Sequence, residues 1–148
     1  MHIATKSSRI NISKESKTKL IAEIFSKKLV SGDILLLNGE LGVGKTTFVK
    51  FLINNMQLRS KKKLTEITSP TFNIMNEYDI NGLSIKHYDL YRLKSLDELE
   101  DLNIFDKNDK AILLIEWPQI IRKEPNLVTK LYFEYENEYQ NRFVKISN

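Results

Sequence analysis

The sequence predicts an α/β fold: three layers around a central mixed β-sheet, with a phosphate-binding loop leaving the middle of the sheet and antiparallel strands at its flanks. Three observations carry this. The apolar run Asp33-Ile-Leu-Leu-Leu-Asn38 leads into Gly39-Glu-Leu-Gly-Val-Gly-Lys-Thr46, a G-x-x-x-x-G-K-T loop, and then into an apolar helix. A second apolar run, Ala111-Ile-Leu-Leu-Ile115, ends on an acid, Glu116. Extended segments meet at Asn81-Gly82, a hairpin turn signal, and two more follow near the C-terminus. Together these describe a P-loop NTPase-like arrangement in one domain spanning residues 1–148.

In chain order, a short strand is expected around Arg9–Ile12. Ser13 is placed as the N-cap of a first helix, with Glu15 in its first turn. Leu20, Ile21, Ile24, Phe25 and Leu29 mark one face of that helix, and Gly32 ends the element. After the loop, Phe48, Val49, Phe51, Leu52, Ile53 and Met56 are helical, and residues 57–66 read as a polar, basic connection. Phe72–Ile80 and Leu83–Leu90 are expected as the two hairpin strands. Ser95 and Glu98 have the spacing of a capping box opening a short helix to Leu102. Ala111–Ile115, Thr129–Glu136 and Arg142–Ile146 are the remaining strands.

The chain has 148 residues, 41% apolar and 28% charged, as a soluble globular protein does. At this length about 70% of the unfolded surface is buried on folding, enough for a core without staples. With no cysteine, disulfides and thiolate metal sites are excluded. No apolar run reaches the roughly 18 residues of a membrane span. The N-terminal Met1-His-Ile-Ala-Thr-Lys6 lacks an apolar leader core, so a cytoplasmic protein is expected. The net charge of +4 is modest. Lys61-Lys62-Lys63, after Arg59, is the one dense basic cluster; it reads as a solvated loop, with contact to RNA phosphates as the alternative.

The loop sets the chemistry. Gly42 and Gly44 permit backbone angles that turn successive N–H groups around a phosphate. Leu41, Gly42, Val43, Gly44, Lys45, Thr46 and Thr47 are therefore the nucleotide-binding stretch, Lys45 supplying charge to the outer phosphates and Thr46 a hydroxyl ligand for Mg2+. Hydrolysis also needs a further metal contact and a group that orients water. Glu116 ends a buried strand at the edge where α/β sheets bind ligands, as a Walker B acid does. Asp89 ends the less apolar strand Leu83–Asp89, where a turn aspartate is an equal reading. Ser69 and Thr71, around Pro70, are either a switch segment facing metal and phosphate or a plain turn into a strand. Trp117 either covers the nucleotide or seals the sheet edge. His87, one of two histidines, taken alone is a packing or surface residue. Asp106-Lys-Asn-Asp109 imitates a guanine-reading N-K-x-D element but starts with Asp and precedes its strand, so no base preference follows from it.

Gly39-Glu-Leu-Gly-Val-Gly-Lys-Thr-Thr47, Ser69-Pro-Thr-Phe72, His87-Tyr-Asp-Leu-Tyr-Arg92 and Glu116-Trp-Pro118, in this order over nearly the whole chain, closely resemble the TsaE (YjeE) family. The resemblance implies a central mixed sheet, binding of ATP with Mg2+, and slow hydrolysis in support of the TsaB–TsaD pair, which modifies tRNA with a threonylcarbamoyl group. The chain would then meet tRNA only indirectly, through that complex, and no membrane. Carried over by position, Lys45, Asp89 and Glu116 are catalytic, and Thr46, Asp89 and Glu116 hold the metal. Ser69 and Thr71 become a possible switch and Trp117 a nucleotide neighbour. Asn103 stands where the family has Gly and must take a left-handed backbone for the turn to survive; Asn141-Arg142 replaces Gly-Arg beside a possible nucleotide contact. Two alternatives belong to other classes. One is a small-molecule P-loop kinase, for which Arg122 is the only nearby lid arginine; the other is a nucleotide-sensing module without useful hydrolysis.

Overall fold

The computed structural model describes residues 9–148. The leader expectation, placed on Met1–Lys6, lies outside the described residues. Seven strands and three α-helices follow one another as β1 (Arg9–Asn11), α1 (Glu15–Lys28), β2 (Ile34–Asn38), α2 (Lys45–Arg59), β3 (Met75–Ile80), β4 (Leu83–Asp89), α3 (Leu96–Leu102), β5 (Ile112–Glu116), β6 (Thr129–Glu136) and β7 (Asn141–Ser147), with a 3-10 turn at Pro118–Ile120. They form one sheet in the order β1-β7-β6-β2-β5-β4-β3. The inner strands β6, β2, β5 and β4 are mutually parallel, and β7, β1 and β3 join antiparallel at the two flanks. The loop-bearing strand β2 is fourth of seven, in the middle as expected.

Side-chain alternation along β2 divides the core. Leu35 and Leu37 point into a layer with Phe25, Phe48, Leu52, Ile85, Ile112 and Leu114, covered by α1 and α2. Leu36 points the other way, to Tyr88, Leu113, Ile115 and Ile104, flanked by Leu99 and Leu102 of α3. Phe48 meets Phe25 edge-on at a centroid distance of 5.5 Å, a contact worth about 1 kcal/mol beyond its buried area. The result is the three-layer sandwich the sequence predicts.

Several local expectations hold and several are corrected. Ser95 and Glu98 form a full capping box, and Asn103 takes φ 45°, ψ 47° at the end of α3, so asparagine does serve the left-handed position. The first-helix cap is different: Lys14 is the N-cap, without a side-chain cap bond. The Ser13 hydroxyl is engaged elsewhere, accepting from Arg142 N–H at 3.0 Å and tying the start of α1 to β7. Helix α1 also ends before Gly32, which lies in the following turn. Helix α2 continues to Arg59, past the expected connection. Residues 72–74 are a turn, not strand: Ile74 N–H donates to Pro70 O at 2.6 Å and Ile74 sits at φ 67°. The basic cluster follows the far end of α2, about 22 Å from the loop at 1.5 Å per helical residue; Lys62 there donates to Asp79 O at 3.2 Å. The imitation guanine element is structural. Asp109 pairs with Lys86 of β4 and accepts Ala111 N–H at 2.9 Å, which holds its carboxyl below the ordinary range.

Gly39 is where β2 hands over to the loop. Its φ is +149°, and a β-carbon there would lie 2.7 Å from Phe133 O and 2.8 Å from Val43 Cγ1. The close approach of β6 backbone admits no side chain. Gly39→Ala is expected to cost about 3 kcal/mol through strain and overpacking, read as a melting temperature lower by about 10 °C. An unchanged melting curve would refute the close approach.

Candidate functional site

The site lies at the carboxyl edge of the parallel strands, where the chain leaves β2, β4 and β5. Gly42 and Gly44 adopt φ 74° and 121°, so the loop wraps back and delivers Lys45 as the first residue of α2. Phe48 N–H donates to Gly44 O at 3.0 Å, closing the first helical turn. The N–H groups of Lys45, Thr46 and Thr47 precede that turn and have no helical acceptor, which makes this end of α2 an anion-binding terminus. A cleft of about 200 Å³ opens here, lined by Leu41, Gly42, Gly44, Lys45, Thr46, Thr47, Ser69, Thr71, Asp89, Glu116 and Trp117.

Four segments distant in sequence thus converge, and with them every site residue the sequence singles out except Val43. The Val43 side chain is fully buried in the core against Gly39, and its N–H donates to Glu40 O at 3.3 Å. Its side chain packs beneath the loop and does not line the cleft.

Parallel pairing of β4 with β5 sets Asp89 directly opposite Glu116. Both carboxylates are buried at the strand ends. Thr46 Oγ1 donates to Glu116, 3.1 Å from Oε1 and 3.3 Å from Oε2. Ser69 and Thr71 hydroxyls reach Asp89 Oδ2 at 3.0 and 3.2 Å and each other at 2.8 Å, while Asp89 Oδ1 accepts Tyr91 N–H at 3.0 Å. The Ser-Pro-Thr turn is therefore latched to the Asp89 carboxylate.

Lys45 is only 4% exposed. Its ammonium donates to Gly39 O and, at 3.0 Å, to Glu40 O, and stands 4.1 Å from the centroid of the Trp117 ring. Burial pushes its pKa down from the ordinary lysine value, and the charges of Glu116, Asp89 and Glu40 counter part of that effect. Trp117 sits in a left-handed backbone conformation, φ 55°, ψ 55°, with its ring 4.8 Å from that of Tyr91. It lines the cleft beside Lys45.

Two features were not legible in the sequence. His87 is fully buried, 2.6 Å from Glu116 Oε2. A second, polar cleft of about 160 Å³ adjoins the first through Gly44 and Thr47 and is lined further by Ser13, Glu15, Thr18 and Arg142. The family resemblance had pointed to Arg142; nothing local in the sequence brings residues 13–18 to the same place. Arg122, by contrast, lines a separate groove beside α3 and not this cleft.

A mixed sheet with a parallel centre, a phosphate loop in its middle and two acids on neighbouring strand ends define a P-loop protein. A model of the family described as threonylcarbamoyl adenosine biosynthesis protein TsaE matches residues 12–144. The chain belongs to the TsaE family, which is involved in tRNA threonylcarbamoyladenosine biosynthesis. A Rickettsia felis protein named tRNA threonylcarbamoyladenosine biosynthesis protein TsaE is 40% identical over 111 residues, 75% of this chain and 63% of that protein. The Bacillus subtilis protein of the same name is 35% identical over 109 residues, 73% of this chain and 65% of its own length. The chain thus spans a little under two thirds of those two relatives. The crystal structure of Bacillus subtilis YdiB is similar over 97% of this chain and 87% of that one, with a TM-score of 0.70 at 26% identity.

Proposed function

We propose that this protein binds ATP with Mg2+ and hydrolyses it slowly to ADP and phosphate, as the accessory ATPase of tRNA threonylcarbamoyladenosine modification, working with the TsaB–TsaD pair. The observation that carries this is the convergence of Lys45, Thr46, Asp89 and Glu116 on one cleft at a helix N-terminus. We further read residues 1–148 as one domain acting in the cytoplasm and meeting tRNA through the complex. Among the described residues no helix is long and apolar enough to cross a membrane.

The donor set fits the cation. Mg2+ takes oxygen ligands and is ordinarily held by one or two carboxylates together with substrate phosphates. Here the available donors are the Thr46 hydroxyl and the Glu116 and Asp89 carboxylates, all oxygen. Among the described residues no group of three His, Cys, Asp or Glu forms a protein-only metal cage, so phosphate oxygens would complete the set. When bound, the cation neutralises charge developing between the outer phosphates. Lys45 would exchange its carbonyl acceptors for a phosphate oxygen, and the free N–H groups of α2 would hold the phosphate chain. Glu116 and Asp89 divide metal holding and water orientation between them. The first cleft carries the groups suited to phosphate and cation, and the adjoining cleft at Ser13, Thr18 and Arg142 offers polar groups to the nucleoside. Leu41 and Trp117 flank the entrance.

The kinase alternative draws no support from Arg122, which faces elsewhere. The deciding experiment has two stages. Phosphate release from ATP, without any acceptor, is expected with Mg2+ and is lost in EDTA. Reconstituted with TsaB, TsaD, threonylcarbamoyl-adenylate synthase and tRNA, the chain is expected to permit multiple rounds of modification that stop without it. Equal modification in its absence would overturn the accessory role.

A further inference from the structure

His87 stands in an apolar row. On β4 and β5 the side chains of Ile85, Ile112 and Leu114 share its face, all fully buried, and β-pairing sets His87 opposite Leu114. A polar ring in such a place is unfavourable unless it is hydrogen-bonded. Among the described residues its one hydrogen-bond partner is Glu116 Oε2, at 2.6 Å, while Nδ1 is buried without one. The proton a neutral imidazole carries therefore belongs on Nε2, the nitrogen that faces an acceptor.

We propose that His87 is a positioning residue that fixes the Glu116 carboxylate, donating Nε2–H to Oε2 so that Oε1 is the oxygen presented to the cleft. The Thr46 contact cannot do this. It is longer and divided between both oxygens, at 3.1 and 3.3 Å, and it is surrendered when the Thr46 hydroxyl turns to a ligand. His87 then remains as the partner that keeps the carboxylate from rotating. The arrangement follows the general rule that groups around a site are oriented by a buried neighbour behind them. The inference rests on the reading that Glu116 serves hydrolysis.

The test compares His87→Leu, which removes the donor and keeps an apolar side chain, with His87→Gln, whose amide nitrogen falls near the Nε2 position. For His87→Leu, kcat is expected to fall about 10–100-fold, with KM and the affinity for a fluorescent ADP analogue within about threefold of the parent chain. His87→Gln is expected to recover most of the turnover. Long-range 1H–15N NMR of the parent chain should show the ring protonated on Nε2 and bare on Nδ1, with the Nε2 resonance displaced in Glu116→Gln. Turnover of folded His87→Leu within about twofold of the parent, or a ring protonated only on Nδ1, overturns the proposal. If His87→Leu does not fold, the contrast moves to His87→Gln against His87→Asn, whose amide lies on the Nδ1 side. Gln is then expected to turn over and Asn to fail, and equal rates overturn the proposal. A parent chain without ATP hydrolysis refutes the hydrolytic reading itself; normal parent turnover with an unaffected His87→Leu refutes this inference alone.

Discussion

Lys45→Ala is expected to abolish ATP hydrolysis, lowering turnover by about 10²–10³-fold, and to weaken nucleotide binding by about one to two powers of ten through loss of a charge-assisted hydrogen bond. The expectation follows from how the ammonium is held. It is 4% exposed yet makes no direct ion pair among the described residues; its hydrogen bonds go to the Gly39 and Glu40 carbonyls, and its positive charge rests over the Trp117 ring. Burial pushes its pKa down, so the folded chain carries this charge at a cost that neutral acceptors only partly offset. A phosphate is the anion that would complete its environment. The same reasoning gives the variant a second property: with the buried ammonium and its solvation cost removed, the ligand-free variant is expected to melt no lower than the parent protein. Phosphate-release assays and nucleotide titration check the first part, and thermal unfolding checks the second. Full hydrolysis by Lys45→Ala would remove the cleft from consideration as the nucleotide site.

The convergence of Lys45 with Glu116 was readable in the sequence because each step is local, while Asp89, at the end of a less apolar strand, was singled out only by the family resemblance. A strand followed by a glycine loop and a helix puts Lys45 at a helix start. Acids that end apolar runs sit at the carboxyl edge of the sheet. β6 came out at Thr129–Glu136, as expected, because its alternation is long and uninterrupted. What local pattern could not supply were choices made by distant partners. Ser13 has the chemistry of a helix cap, but Arg142, 129 positions away, claims its hydroxyl. Residues 72–74 look extended, yet the bond from Ile74 N–H to Pro70 O and the hold of the Asp89 carboxylate on Thr71 draw them into a turn. His87 meets Glu116 only because β4 and β5 pair in parallel with α3 between them, a register no window of sequence contains. Val43 fits the loop motif, but its side chain belongs to the core beneath the loop. The motif specifies backbone shape at that position and leaves the side chain to packing.

Glu116→Ala is expected to lose turnover by about 10²–10⁴-fold, the range of a positioned acid–base group, while nucleotide binding persists at least in part. Binding is spared because the phosphate contacts of Lys45 and the α2 N–H groups do not pass through Glu116. Turnover is not spared, because this carboxylate is held by Thr46 from the loop and His87 from β4, with Asp89 opposite it in register at the same edge. The variant also leaves the buried His87 ring without its partner. That unpaired group is expected to lower stability by about 1–3 kcal/mol, so a melting curve belongs beside the kinetics. Glu116→Gln separates the two effects. It keeps the side-chain volume and an oxygen to accept from His87, and so is expected to recover much of the lost stability and none of the turnover. Hydrolysis by either variant at the parent rate would reduce Glu116 to a strand-end packing residue and leave Asp89 as the acid the chemistry depends on.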